Sequence, residues 1–192
     1  MSATPFDILE RIIEILDELG IPYALGGSFA ASFFGEPRAT ADIDVAIVAD
    51  VVSGDALLER VGAQFYVPEE SARASLRSHQ SFNLLPRDSA MKVDLFPLGD
   101  GLLDRRQISR RVALALPSGR RLWVTSPEDI VLRKLDWFRL GAGRSDRQWT
   151  DIVGILRITG ERLDREDLVA AARVLELNEL LSAAADDAEL DL

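Results

Sequence analysis

Cysteine is absent from this chain of 192 residues, and histidine occurs once, at His79. Without cysteine there can be no disulfide and no thiolate metal site. One histidine in the polar stretch Ser78-His79-Gln80 reads as exposed, and no histidine-based metal site or nucleophilic triad is expected from it. Long hydrophobic runs are missing too. None approaches the ~20 residues that cross a bilayer, so no membrane association is expected. The opening Met1-Ser2-Ala3-Thr4-Pro5 lacks a basic-then-apolar signal pattern, which leads us to expect a cytoplasmic location. Positive charge is scarce: 22 Lys and Arg face 32 Asp and Glu, a formal net charge of −10. That balance opposes broad electrostatic attraction to nucleic acid but leaves room for a local basic surface. Arg105-Arg106, Arg110-Arg111 and Arg120-Arg121 form such a concentration. A solvated hairpin edge guarded by charge is the simpler account of it; a surface for a polyanionic acceptor or an acidic partner is the alternative.

What is present suits a globular protein, with 47% hydrophobic and 28% charged residues. The length allows one main domain with a smaller attached part. Thr4-Pro5-Phe6-Asp7 reads as a helix start, and Ile8, Ile12, Ile15, Leu16 and Leu19 follow at helical spacing to Gly20. Tyr23-Ala24-Leu25 is a short strand candidate, with a helix from Ser28. Asp42 to Val48 alternates as a strand, with Ile43, Val45 and Ile47 on one face and Asp42, Asp44, Ala46 and Val48 on the other. Helices are expected at Asp55–Val61 and after Pro68, and strands at Phe65–Val67, Ser81–Leu85 and Met91–Phe96. Pro117-Ser118-Gly119 joins two further strands in a hairpin. From Ser126-Pro127-Glu128-Asp129 onward the pattern is helical. Gly141 and Gly143 end the first of these helices, and the acidic tail from Asp186 is expected to fray. The fold class is therefore α+β: a small mixed sheet with flanking helices over 1–125, and a C-terminal helical subdomain over 126–192.

Three elements carry chemistry. Asp42 and Asp44 leave the same strand face about 6.5 Å apart at Cα, so two carboxylates can converge on a hard cation such as Mg²⁺ or Mn²⁺. Asp94, in the strand-like run Lys92-Val93-Asp94-Leu95-Phe96, can complete the site as a ligand and as a base toward an acceptor. Without a cation these carboxylates would repel one another and resist full ionisation. The turn Gly26-Gly27-Ser28, between strand and helix, lets the backbone approach a phosphate, although the same residues also serve simple turn geometry and capping. Arg38 can bind a phosphate or order the loop before the strand. Trp137 and Trp149 read as helix-packing residues.

Taken together, the Gly-Ser turn, Asp42-Ile43-Asp44 and the distant Asp94 resemble the nucleotidyltransferase superfamily with the DNA polymerase β-like fold. Arg38-Ala39-Thr40-Ala41-Asp42-Ile43-Asp44 is similar to a form found in bacterial members, including AbiEii-type toxins of toxin–antitoxin systems and small uncharacterised relatives. The likeness extends to Pro127-Glu128-Asp129, Lys134-Leu135 and Arg147-Gln148-Trp149-Thr150-Asp151-Ile152, although Gln148 stands where many relatives carry Asp. It implies a Mg²⁺- or Mn²⁺-dependent enzyme that moves a nucleoside monophosphate from an NTP to an acceptor hydroxyl on tRNA, protein or a small molecule. An antitoxin-like protein partner is also implied. Asp42, Asp44 and Asp94 would be the catalytic and metal-binding residues, and Gly26, Gly27, Ser28, Arg38, Lys134 and Asp151 would bind nucleotide. Lys134 has apolar neighbours at Ile130, Val131, Trp137 and Phe138, so it either snorkels outward or reaches a triphosphate in a cleft; the likeness favours the second. For Asp151 the alternative is a salt bridge to Arg147 or another arginine. A non-catalytic nucleotide-binding or toxin–antitoxin interaction protein on the same fold is the second reading. A nucleotide-sugar glycosyltransferase with its own Asp-x-Asp is a weaker third, because it gives the glycine turn no role.

Overall fold

Thr4 accepts a hydrogen bond from the Asp7 amide while the Asp7 carboxylate accepts from the Thr4 amide, and this reciprocal cap starts α1 (Pro5–Glu18). Ile8, Leu9, Ile12, Ile13, Ile15 and Leu16 bury its apolar stripe. Gly20, at φ +63°, turns the chain into β1 (Tyr23–Leu25). The computed structural model describes residues 3–142 and 145–192; Gly143, one of the two expected helix-ending glycines, lies outside them.

The chain then runs through α2 (Gly27–Ala31), β2 (Asp42–Ile47), α3 (Val51–Val61), β3 (Phe65–Tyr66), α4 (Glu69–Ser78), β4 (Phe82–Pro86) and β5 (Lys92–Pro97). It continues through α5 (Leu102–Ser109), β6 (Val112–Ala115), β7 (Arg121–Val124), α6 (Pro127–Leu140), α7 (Asp146–Thr159), α8 (Arg165–Val174) and α9 (Asn178–Asp187). The seven strands form one mixed sheet in the order β3-β4-β5-β2-β1-β7-β6. The β2–β5 and β1–β7 pairs are parallel and the others antiparallel. Ile43, Val45 and Ile47 of β2 and Val93 and Leu95 of β5 are fully buried and share one core with the apolar residues of α1 and α3. The opposite face of these two strands carries the acids. Among the described residues, no helix is long and apolar enough to cross a membrane.

Four expectations need correction. The helix expected at Asp55 begins at Val51, because Asp50 and Ser53 cap it reciprocally. The helix expected at Ser28 begins at Gly27, with Gly26 as its cap, and is only five residues long. α5 had no counterpart in the sequence pattern. Its buried residues are Leu103 and Gln107, a pair too polar to announce a helix. The acidic tail is docked rather than frayed: the Trp149 indole donates to Asp187 (2.8 Å), and Arg165 donates to the Asp191 carbonyl (2.8 Å). A side chain at Gly160 would run into Leu190, so the tail also packs closely at that point.

α5 also reassigns much of the arginine concentration. Arg106 bridges Asp129 of α6 (2.5 Å) and Asp167 of α8, and Arg110 reaches Asp167 (3.0 Å). Arg111 donates to the Tyr23 carbonyl and stacks over Trp123, while Arg120 pairs with Glu14. These cations tie helices and strands together. The solvated hairpin account holds for Arg121, which is exposed on β7.

Candidate active site

Register places the acids. Parallel pairing of β2 with β5 sets Asp44 directly beside Asp94 and Asp42 beside Lys92, all on the face opposite Ile43, Val45, Val93 and Leu95. The three acids expected to converge thus share one side of the sheet, contributed by segments about fifty positions apart. They do not close on an empty point. Lys92 Nζ stands among them, 2.8 Å from Asp94 Oδ2 and 3.5 Å from Asp42 Oδ1. Among the described residues no three Asp, Glu or His side chains are arranged to enclose a metal ion. The position between Asp42 and Asp94 is taken by the ammonium.

The electrostatics follow from this crowding. Burial, then the neighbouring Asp94 and Asp42 carboxylates, pushes the Asp44 carboxyl up to about 6, against the opposing pull of Lys134 and Lys92. The hydrogen bond to Asp94 raises Lys92 above the ordinary lysine value. Asp94 Oδ1 is buried, with no hydrogen-bond partner among the described residues. A buried orphan oxygen beside a carboxylate that resists ionisation is a donor set short of positive charge, and it fits a hard divalent cation.

Gly27 covers Asp44. Its φ is +59°, and a Cβ there would fall inside the Asp44 carboxylate, so the second glycine of the turn is required twice over. The Gly26 amide donates to the Asp44 carbonyl (2.8 Å), which fixes the turn to β2. Ser28 faces a second cluster. Arg38 donates from Nε and Nη2 to both oxygens of Asp151 (2.8 and 3.0 Å), and Nη2 also reaches Ser28 Oγ. Lys134 Nζ donates to Asp151 Oδ2 (2.8 Å) and to Gln148 Oε1 (3.0 Å). Ser28, Arg38, Lys134 and Asp151 are therefore one connected network, joined to the acid face through the Gly26-Gly27 turn.

Within this network, Asp151 pairs with Arg38 and Lys134, not Arg147. Burial works to raise its carboxyl, and the hydrogen bonds from the two cations overcome that to leave it below the usual range. Lys134 neither snorkels outward nor projects into a cleft. It is 2% exposed, and burial lowers its pKa against the hydrogen bond to Asp151. Gln148 has a defined use here as an acceptor for that ammonium.

A cleft of about 340 Å³ opens beside Asp44, with Gly27, Phe96, Arg133 and Trp137 in its wall and exposed His79 at its edge. The Phe96 and Trp137 ring centroids lie 6.2 Å apart, so Trp137 both lines the cleft and packs. Trp149 packs on Phe138 as expected. Arg133 is held by Asp104 and Gln107. Arg133, Phe96 and Lys92 belong to no motif, although signals for them are present in the sequence. Phe96 and Lys92 alternate with Asp94 on one strand face, and Arg133 lies one helical turn from Trp137. Of the 22 basic residues only two are lysines, Lys92 and Lys134, and both are in these clusters.

No family model matches the chain, and no curated relative matches it. Solved structures do resemble it. The antibiotic-resistance factor ANT(2'')-Ia superposes with TM-score 0.61 at 18% identity, covering 92% of this chain and 95% of its own. An antigenic nucleotidyltransferase-like protein from Paracoccidioides brasiliensis gives TM-score 0.56 at 20% identity over 94% and 91%. The lincosamide antibiotic adenylyltransferase LnuA, bound to lincomycin, gives 0.51 at 15% identity over 83% and 100%. With its mixed seven-stranded sheet and flanking helices, the chain has the fold of the nucleotidyltransferases.

Proposed function

We propose that this protein is a divalent-metal-dependent nucleotidyltransferase, which moves a nucleoside monophosphate from an NTP to an acceptor hydroxyl. The observation that carries the reading is the Asp44–Asp94 pair, set side by side by the β2–β5 register beneath Gly27. Asp42, Asp44 and Asp94 would hold Mg²⁺ or Mn²⁺. When bound, such a cation supplies the charge neutralisation that phosphoryl chemistry needs.

The chain's own residues do the rest. Gly27 lets the backbone of the turn lie directly against the Asp44 carboxylate, where any side chain would collide with it. Arg38, partly exposed at the rim of its network, is the cation we assign to phosphate oxygens. Buried Lys134 holds Asp151 and lends positive field toward Asp44. In the reaction the acceptor oxygen bonds to the α-phosphorus and the bond to pyrophosphate breaks. The hydroxyl proton would pass to a carboxylate of the acid face, the role we propose for Asp94. Positioning and electrostatics account for the rate, with no covalent intermediate.

A small hydroxylated acceptor suits the site better than tRNA. The cleft has the size of a small-molecule pocket, the net charge is −10, and the arginines that could attract a polyanion are largely engaged in ion pairs. Two of the structural neighbours are named for antibiotic chemistry: ANT(2'')-Ia has been captured with adenylyl-2''-tobramycin, and LnuA with lincomycin. The test is label transfer from each α-labelled NTP, with Mg²⁺ or Mn²⁺, to panels of small hydroxylated compounds, protein and tRNA. Wild type is expected to label a small acceptor, and Asp44→Asn to fall by about 10³-fold or more. Equal behaviour of the two proteins across the panel refutes the assignment. NTP binding indifferent to metal, without turnover, would instead mark a nucleotide-binding protein, the form in which a toxin–antitoxin partner role would be pursued.

A further inference from the structure

Lys92 has no part in the chemistry described above, yet it sits at the centre of the acid face. Its ammonium bridges carboxylates from two strands, Asp94 on its own and Asp42 on β2, directly across the register. A divalent cation held by those same oxygens cannot coexist with an ammonium at hydrogen-bonding distance, because like charges that close repel strongly. One of the two must leave. The residue type suits departure. In a chain that uses arginine for nearly every other cation, this position carries lysine, a compact charge on a flexible stem. An arginine fork would hold a carboxylate by two bonds at once. The Lys92 side chain is 37% exposed, so it has room to swing away from the sheet.

Building on the metal-dependent reading, we propose that Lys92 is a tethered counter-ion. It holds Asp42 and Asp94 in place in the metal-free protein, competes with the divalent cation for them, and withdraws when the cation binds. Lys92 thereby sets the metal affinity of the site without being a ligand.

Binding of Mn²⁺ alone, followed by electron paramagnetic resonance of the free ion, tests this in wild type, Lys92→Met and Lys92→Arg. Lys92→Met is expected to bind Mn²⁺ about tenfold or more tightly, the effect of removing one nearby competing charge. Lys92→Arg, which keeps the charge and can hold a carboxylate by two bonds, is expected to bind Mn²⁺ no more tightly than wild type. In EDTA, Lys92→Met should melt at a lower temperature than wild type and recover more on adding Mn²⁺. A second arm needs no variant. Lysine-selective ¹³C,¹⁵N labelling gives two side-chain signals, those of Lys92 and Lys134. Titration with Mg²⁺ should shift the Lys92 signal toward that of a free ammonium and leave Lys134 with its Asp151 partner.

Mn²⁺ affinity unchanged in Lys92→Met, or a Lys92 signal unmoved at metal saturation, overturns the proposal while leaving the metal-dependent reading intact. Failure of all three proteins to bind Mn²⁺ removes both. Should Lys92→Met not fold, the labelling experiment on wild type decides.

Discussion

Gly27 is the residue on which the site's geometry turns most sharply. Its positive φ costs a non-glycine residue roughly 1–2 kcal/mol, and the overlap of a Cβ with the Asp44 carboxylate adds to that. Gly27→Ala is therefore expected to lower stability by at least about 1 kcal/mol in denaturant titration. It should also displace Asp44 and reduce label transfer well beyond the stability loss. A variant with wild-type turnover would mean that the turn does not position the acid. At this scale much was legible. Two-residue alternation put Asp42 and Asp44 on one face, and the same rule applied to β5 yields Lys92 beside Asp94. What alternation does not reveal is the partner across the sheet. That Lys92 lies opposite Asp42, and fills the space where three acids were expected to meet, depends on register between segments about fifty positions apart.

Among the elements, α5 shows why some structure stays hidden in a sequence. A helix announces itself through apolar periodicity, and α5 faces its neighbours with Arg106 and Gln107 instead. Arg106 meets Asp129, which is fully buried on α6, and extends to Asp167 on α8. This ion pair joins the strand-rich part of the chain to its helical end. Asp129→Ala would leave Arg106 half-partnered in a buried setting, with an expected cost on the order of 3 kcal/mol measured by thermal or chemical unfolding. A change below about 0.5 kcal/mol would show that Asp167 alone satisfies the guanidinium. The tail after Asp186 was misjudged for a related reason. Acidic composition suggested solvent, whereas Trp149 and Arg165 supply the partners that dock it.

For the whole molecule, the acid face costs stability above mildly acidic pH. Asp44 titrates at about 6 in the folded protein against 3.8 as its ordinary value, so the folded state binds the extra proton between those limits. The sign follows: its destabilising contribution is absent below about pH 4, grows as pH rises, and is complete above about pH 6. The size is roughly 1–3 kcal/mol. Asp151 and Asp167, held below the usual carboxylate range, act oppositely and lose their stabilising effect only under more acidic conditions. Metal-free wild type should thus lose stability from pH 4 to 7 relative to Asp44→Asn, in paired melting curves across that range. Parallel curves would remove Asp44 as the source.

The pairing of β2 with β5 has one more consequence. Asp44 and Asp94 are brought together by strands joined through a long crossover, and a slip of one position would send Asp94 to the greasy underside of the sheet. Turnover of the proposed reaction would therefore double as a proofreading signal for assembly. Any chain that captures metal and transfers label has already threaded its central strands in the correct frame.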